Sequence, residues 1–313
     1  MLRKVFLGLA NSSTARRALV GVPLTRALSQ RFVPGESISQ VVAAVRSAES
    51  AGLKTTANYL GEAVRSADDA RAAARVYLRL LEALHEAGLE GNASLKFTQM
   101  GQEISESFLA ENLNPVLQRA RDSGAFLRFD MESSPFVTRT LQAFEGLWSQ
   151  GWRDIGVVLQ AYLKRTAGDV RRMIELGARV RLCKGAYAES PDVAYLDMAR
   201  IRRNYLELAE ALLSDGVYPA LATHDDHLIQ GIQEIVARRG LSKESFEFQF
   251  LYGVRRDLHA QLSKEGYRVR LYVPFGDQWY PYLMRRLAER PENVAFLVGS
   301  VVKESPLRAL WPR

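Results

Sequence analysis

The sequence predicts an α/β fold, a (β/α)8 barrel of the TIM type, and three observations predict it. From Lys54 onward, short apolar or β-branched runs alternate strictly with helical runs, which argues for a parallel sheet. Eight such units fit into roughly 240 residues, the arithmetic of a closed barrel. The alternative is an open, doubly wound sheet. It would need fewer units, and no Gly-x-Gly-x-x-Gly follows any of the apolar runs to open a nucleotide site.

Taken in order, residues 36–52 read as a helix that precedes the barrel. The first strand covers 55–59, and a helix over 68–87 follows, with Asp68 and Asp69 in an acidic first turn and Gly88 as its stop. The remaining strands are 94–99, 126–131, 156–160, 180–184, 219–223, 246–250 and 269–273. Their helices are 103–122, 135–149, 165–176, 192–214, 226–239, 255–265 and 278–290. Residues 1–53 are thus expected to be N-terminal helices packed on the barrel, and 54–313 the barrel itself. The first 35 residues carry Arg3, Lys4, Arg16, Arg17, Arg26 and Arg31 and no acid. Such a segment is a targeting peptide, a basic helix lying on a membrane, or an ordinary helix packed on the domain, which is the preferred reading.

Composition narrows the function. The chain has 313 residues, 47% hydrophobic and 25% charged, enough for a large core. Its single cysteine, Cys183, allows no intrachain disulfide and suits a reducing compartment. No apolar run is long enough to span a membrane. The net charge of +7 is spread along the chain without a basic and aromatic strip for single strands, so a nucleic-acid partner is not expected. His224 and His227 lack a third ligand of matching spacing, so no metal site is expected.

Charged groups stand where a barrel interior is normally apolar. Lys96, Arg128, Asp130, Gln160, Arg179, Arg181, Lys184, Thr223, His224, Asp225, Glu247 and Gln249 lie at or near predicted strand ends, several with a period of two. Any one of them could be an interior ion pair. The set, spread over six strands, reads as an active site at the C-terminal end of the barrel. Two segments sharpen this. Arg181-Leu182-Cys183-Lys184-Gly185-Ala186-Tyr187 places two cations before a Gly-Ala pair that lets backbone approach a ligand, as a large anionic cofactor would need. In Tyr282-Leu283-Met284-Arg285-Arg286-Leu287-Ala288-Glu289, positions 282, 285, 286 and 289 share one helical face, and two guanidinium forks there suit a carboxylate or phosphate. The alternative for this helix is a solvated face on which Glu289 pairs with the arginines.

Together these residues resemble the proline dehydrogenase family. The two segments look like its hallmarks, and 94–98, 129–132, 158–162, 222–224, 246–253 and 272–276 agree in order, so the likeness spans 54–290. The length resembles the stand-alone bacterial type. The resemblance implies a distorted barrel that holds FAD without a Rossmann fold and oxidises L-proline to 1-pyrroline-5-carboxylate, passing hydride from proline C5 to flavin N5. It implies that Arg285, Arg286 and Lys96 hold the substrate carboxylate, that Asp130 belongs to the active-site network, and that Arg181 lies against the flavin near N5. Met131, Gln160, Lys184, Gly185, Ala186, Thr223 and His224 would hold FAD. Tyr187, Leu251, Tyr272 and Tyr282 would wall the proline ring, with Glu289 orienting the cations. It further implies a membrane quinone as electron acceptor, 1-pyrroline-5-carboxylate dehydrogenase as a downstream partner, and a cytoplasmic enzyme with peripheral membrane contact.

Two rival readings stay open on the residues alone. A Schiff-base aldolase-type barrel would use Lys96 or Lys184 as nucleophile and be colourless. A non-enzymatic basic surface binder would lose affinity steeply with salt.

Overall fold

Eight parallel strands close into a barrel in chain order, with β8 pairing back onto β1. The structure, a computed structural model, describes residues 30–61, 64 and 66–289, with the side chains of 285–289 outside that description. The strands are β1 Lys54–Tyr59, β2 Asn92–Leu95, β3 Phe126–Phe129, β4 Ile155–Gln160, β5 Arg179–Cys183, β6 Ala220–Ala222, β7 Glu247–Leu251 and β8 Arg268–Phe275. The helices are α1 Ile38–Ser50, α2 Ala67–Glu86, α3 Glu106–Asp122, α4 Ser134–Ser149, α5 Thr166–Leu176, α6 Met198–Asp215, α7 Asp226–Arg239, α8 Arg256–Lys264 and α9 Trp279–Glu289. Closure settles the choice against an open sheet.

Local chemistry sets the helix starts. Ser37 and Gln40 form a reciprocal capping box at α1, and Ser66, Ser105 and Asp197 each accept a backbone N–H at α2, α3 and α6. Asp225 caps α7 in the same way. Two boundaries depart from the expected ones. The run 94–99 is strand only as far as Leu95, because the N–H groups of Met100 and Gln102 both turn back onto the Phe97 carbonyl. The helix expected over 192–214 starts at Met198. Ahead of it, Leu163 and Ala194 make an antiparallel bridge, so the segment after β5 crosses the barrel top as a loop.

Strand alternation divides the barrel into two environments. Residues such as Leu127, Phe129, Val157, Leu182, Phe248 and Leu271 join the helices in one apolar layer around the ring. Seven of the described helices, α2 to α8, follow their strands around that ring. The slot between β8 and β1 is filled instead by α1, whose Val41, Ala44, Val45 and Ala48 join the main core. The helix after β8, α9, packs elsewhere. Trp279, Tyr280, Tyr282, Leu283 and Met284 form a separate cluster with Phe32, Val33 and Leu60. This is the distortion of the barrel, and it frees α9 to reach the C-terminal face.

Candidate active site

The interior side of the same strands is polar. Hydrogen bonds between strands that are not neighbours run through the barrel, and three of them meet near its C-terminal end. Arg181 Nη1 on β5 lies 2.7 Å from Oδ1 of Asp130, just past β3. The Tyr272 hydroxyl on β8 donates to Asp130 Oδ2 at 2.7 Å, and Arg181 Nε donates to Gln249 Oε1 on β7. Asp130 therefore has both oxygens engaged. The guanidinium of Arg181 also lies 5.2 Å from the centre of the Tyr272 ring. Burial, and next the Asp130 charge, push the Tyr272 phenol well above its ordinary value, so it stays a donor.

A second ionic layer lies below this one. Arg270 binds Glu247 at 2.8 Å and Glu90 at 2.8 Å, and Lys54 binds Glu90 at 2.7 Å. Burial alone would raise the Glu247 carboxyl, but Arg270 with its hydrogen bonds holds it below the usual range. Three residues expected at the active-site end belong here instead. Glu247 and Arg179 open their strands, so they sit at the opposite end from the site. Arg128 is buried in mid-strand and donates to the Arg179 carbonyl at 3.3 Å. Glu247 is an interior ion-pair residue, Arg128 a buried packing residue, and Arg179 an exposed residue at the barrel's other end whose guanidinium lies over the Phe126 and Tyr218 rings.

Above the upper layer an open cavity of about 1930 Å³ occupies the C-terminal mouth of the barrel. Every described residue to which the family resemblance gives a role lines it. Asp130, Arg181, Lys96 and Tyr272 stand at its floor. Met131, Gln160, Lys184, Gly185, Ala186, Thr223 and His224 border one part, and Tyr187, Leu251 and Tyr282 border the remainder. Arg285, Arg286 and Glu289 belong to α9, but their side chains lie outside the described residues, as do most of the basic N-terminal segment and Glu62, an acid just beyond the first strand expected to pair with Arg285 or Arg286. The Lys96 side chain makes no hydrogen bond or ion pair to another described residue, although the residue is half-buried.

The sequence reading names Asp225, His224 and Gln249 but not their contacts, and it misses Glu189. Asp225 binds Lys184 Nζ at 3.0 Å and Arg202 Nε at 2.9 Å while capping α7. Burial pushes its carboxyl up, but the two cations outweigh this and hold it low. Glu189 accepts from both the N–H and the hydroxyl of Ser134 and so ties the β5 loop to the start of α4. His224 Nε2 accepts from the Leu251 N–H at 2.9 Å, which leaves the proton on Nδ1. Gln249 looked like one more polar strand-end residue, and only the closed barrel reveals its contact with Arg181.

Some of these features suit a dinucleotide. Gln160 Oε1 and Arg181 Nη2 are buried polar atoms without a partner among the described residues, an unusual state for native side chains that a ligand would relieve. Gly185 has φ +107, and a Cβ there would lie 2.2 Å from the Tyr162 ring, so only glycine brings backbone to this edge of the cavity. With the Lys184 ammonium alongside, this set of donors and one acceptor fits FAD. Among the described residues no His, Cys, Asp and Glu group could hold a metal ion.

Comparison with known proteins agrees with this geometry. Residues 41–298 match the family model described as proline dehydrogenase. The chain is 40% identical to proline dehydrogenase of Deinococcus radiodurans over 280 residues, 88% of this chain and 90% of that one. It is 38% identical to proline dehydrogenase 1 of Bacillus subtilis over 304 residues, 97% of this chain and 100% of the relative. Among solved structures it is similar to proline utilization A from Bdellovibrio bacteriovorus inactivated by N-propargylglycine, with TM-score 0.82 and 25% identity. That match covers 99% of this chain and 39% of the solved one, so the chain spans about two fifths of that protein.

Proposed function

The chain belongs to the proline dehydrogenase family, and from that premise we propose that it oxidises L-proline to 1-pyrroline-5-carboxylate with FAD as its cofactor. Proline oxidation in proline catabolism is the activity its relatives carry. The observation that carries the flavin reading is the pair of orphaned buried polar atoms, Gln160 Oε1 and Arg181 Nη2, beside Lys184 and the Gly185 approach. Bound there, FAD would supply the acceptor for the hydride that leaves proline C5.

The chain's own part is binding and orientation. Gln160, Lys184, Gly185, Ala186, Thr223, His224 and the backbone at Met131 would hold the cofactor. Lys96, Arg285 and Arg286 would grip the substrate carboxylate, since a carboxylate needs charge-assisted bonds to stay fixed. Tyr187, Leu251, Tyr272 and Tyr282 would enclose the ring and exclude water, and Glu289 would orient the cations. The amine must be neutral before hydride leaves, and an alkyl amine titrates near about 10.4. The cations of the cavity favour its neutral form. Asp130 does not need to act as a base, and its oxygens are already taken by Arg181 and Tyr272. Its role is to hold those two groups in place.

Two further parts of the reading follow from the chemistry. Electrons must leave the reduced flavin, and a membrane quinone is the proposed acceptor. Among the described residues no helix is long and apolar enough to cross a membrane, which supports peripheral contact rather than insertion. The product would pass to 1-pyrroline-5-carboxylate dehydrogenase. We also propose the division into residues 1–53 and a barrel from 54, with α1 acting as a structural part of that barrel.

The visible spectrum of the purified protein tests the core of this. A flavin spectrum that bleaches anaerobically with proline is the expected result. A colourless protein that traps substrate on Lys96 or Lys184 with borohydride would favour the Schiff-base reading and overturn this one.

A further inference from the structure

Gln249 joins the two buried polar layers of the barrel. It is 3% exposed. Its Nε2 donates to Oε1 of Glu247, and its Oε1 accepts from Nε of Arg181. The orientation of this amide is determined, because a carboxylate can only accept and a guanidinium can only donate. Glu247 in turn cannot shift. It is 1% exposed, Arg270 Nε binds the same Oε1 at 2.8 Å, and the Tyr218 hydroxyl binds Oε2 at 3.2 Å. Arg181 thus has Nε on Gln249 and Nη1 on Asp130, and its Nη2 is left buried at the cavity floor without a partner among the described residues. Two fixed edges aim the third.

We propose that Gln249, locked by Glu247 and Arg270, is a positioning residue that aims Arg181 Nη2 at the reacting pair of cofactor and substrate. The inference rests on the functional reading above, in which Arg181 works beside the flavin. Without the Gln249 oxygen, the guanidinium keeps only its Asp130 bond and can rotate about it. With the Gln249 amide reversed, an NH2 group would face Nε, two donors opposed. Glu247 is what prevents that reversal. A lower ionic layer that looks purely structural therefore reaches the chemistry through one amide.

The test is a double-mutant cycle on the flavin-loaded full chain, combining Gln249→Met with Arg181→Met. Methionine matches the length of glutamine, so packing is largely kept. Gln249→Met should lower kcat about ten- to hundredfold, the scale of a misplaced group near a reacting centre. KM for proline should stay within about threefold, since Gln249 does not touch the carboxylate anchor. The dissociation constant of FAD from the apoprotein should rise several-fold. In the Arg181→Met background, Gln249→Met should change kcat and the FAD constant by less than about twofold. Glu247→Gln, which keeps the shape but lets the amide reverse, should reproduce part of the loss. Multiplicative losses in the double variant, or kcat within about twofold of the unaltered enzyme in Gln249→Met, would overturn the proposal. The unaltered enzyme assayed alongside reports on the functional reading. No proline turnover there sinks both, whereas turnover there with multiplicative losses sinks this inference alone.

Discussion

Replacing Arg270 with methionine is the sharpest test of the polar interior. Arg270 is 4% exposed and faces Glu247, itself 1% exposed, and Glu90. Methionine fills the volume of the arginine stem, so the cost is mainly electrostatic. It leaves the Glu247 carboxylate in the barrel with only Gln249 and Tyr218, and returns the Thr55 carbonyl without its donor. Breaking one side of a buried pair costs about 3–5 kcal/mol. At about 2–4 °C per kcal/mol for a large domain, the midpoint should fall by roughly 6–20 °C. Thermal melts and urea titrations at several pH values measure it. The sign of the pH dependence is diagnostic. In the unaltered chain Glu247 is held low, so its stabilisation is present above the ordinary carboxylate value and is lost as pH falls through the depressed one. In Arg270→Met the carboxyl has lost its counter-charge and burial raises it, so the folded form binds the proton more tightly and the variant gains stability as pH falls. The deficit should therefore be smaller at pH 5 than at pH 8. A midpoint within about 2 °C of the unaltered chain, or parallel pH slopes, would refute the reasoning.

Three other outcomes are expected. Arg285→Met or Arg286→Met should raise KM for proline about ten- to hundredfold while FAD stays bound, since each charge-assisted bond contributes roughly 1.5–3 kcal/mol; steady-state kinetics decide it. Tyr272→Ser removes a ring from the cavity and a donor from Asp130. It should lower efficiency with proline and narrow the gap to trans-4-hydroxy-L-proline, which the unaltered enzyme should use poorly, on the order of a hundredfold less well. His259 is buried with its ring 4.8 Å from Phe250, and burial pushes it down to about 4. The unfolded chain then takes up a proton near about 6.5 that the folded one refuses, so stability should decline from pH 7 towards 4. His259→Phe should flatten that decline in urea midpoints.

The alternation of elements was readable because apolar period and length carry it, and strands such as 156–160 lie within a residue of their place. Element ends were less so. Phe97-Thr98-Gln99 looks like strand by residue type, yet its buried side chains belong to a turn. The cavity residues could be named because their types and the family resemblance agree. Depth within the barrel could not. Arg128, Glu247 and Asp130 look alike on paper, and only strand register separates the lower layer from the site. Arg270 gave no signal of its own, since its partner Glu90 lies 180 residues away. Nor does any local feature of 38–50 say that this helix fills the slot between β8 and β1.

That placement has a consequence for how the barrel is made. α1 leaves the ribosome before any described strand and can meet β1 and α2 early, but the β8 half of its docking surface does not exist until β8 has been synthesised and paired with β1. At about 5–20 residues per second, the stretch between Ser50 and Arg268 takes on the order of 10–40 s to appear. Through that interval α1 has only its contacts with β1 and α2, and the face that will meet β8 stays uncovered. Closure of the ring is then a contact between distant parts of the chain, the kind that slows folding most. Among the described helices, the one that seals the barrel is made first and completes its docking only at closure, so vectorial synthesis and final closure run in opposite directions.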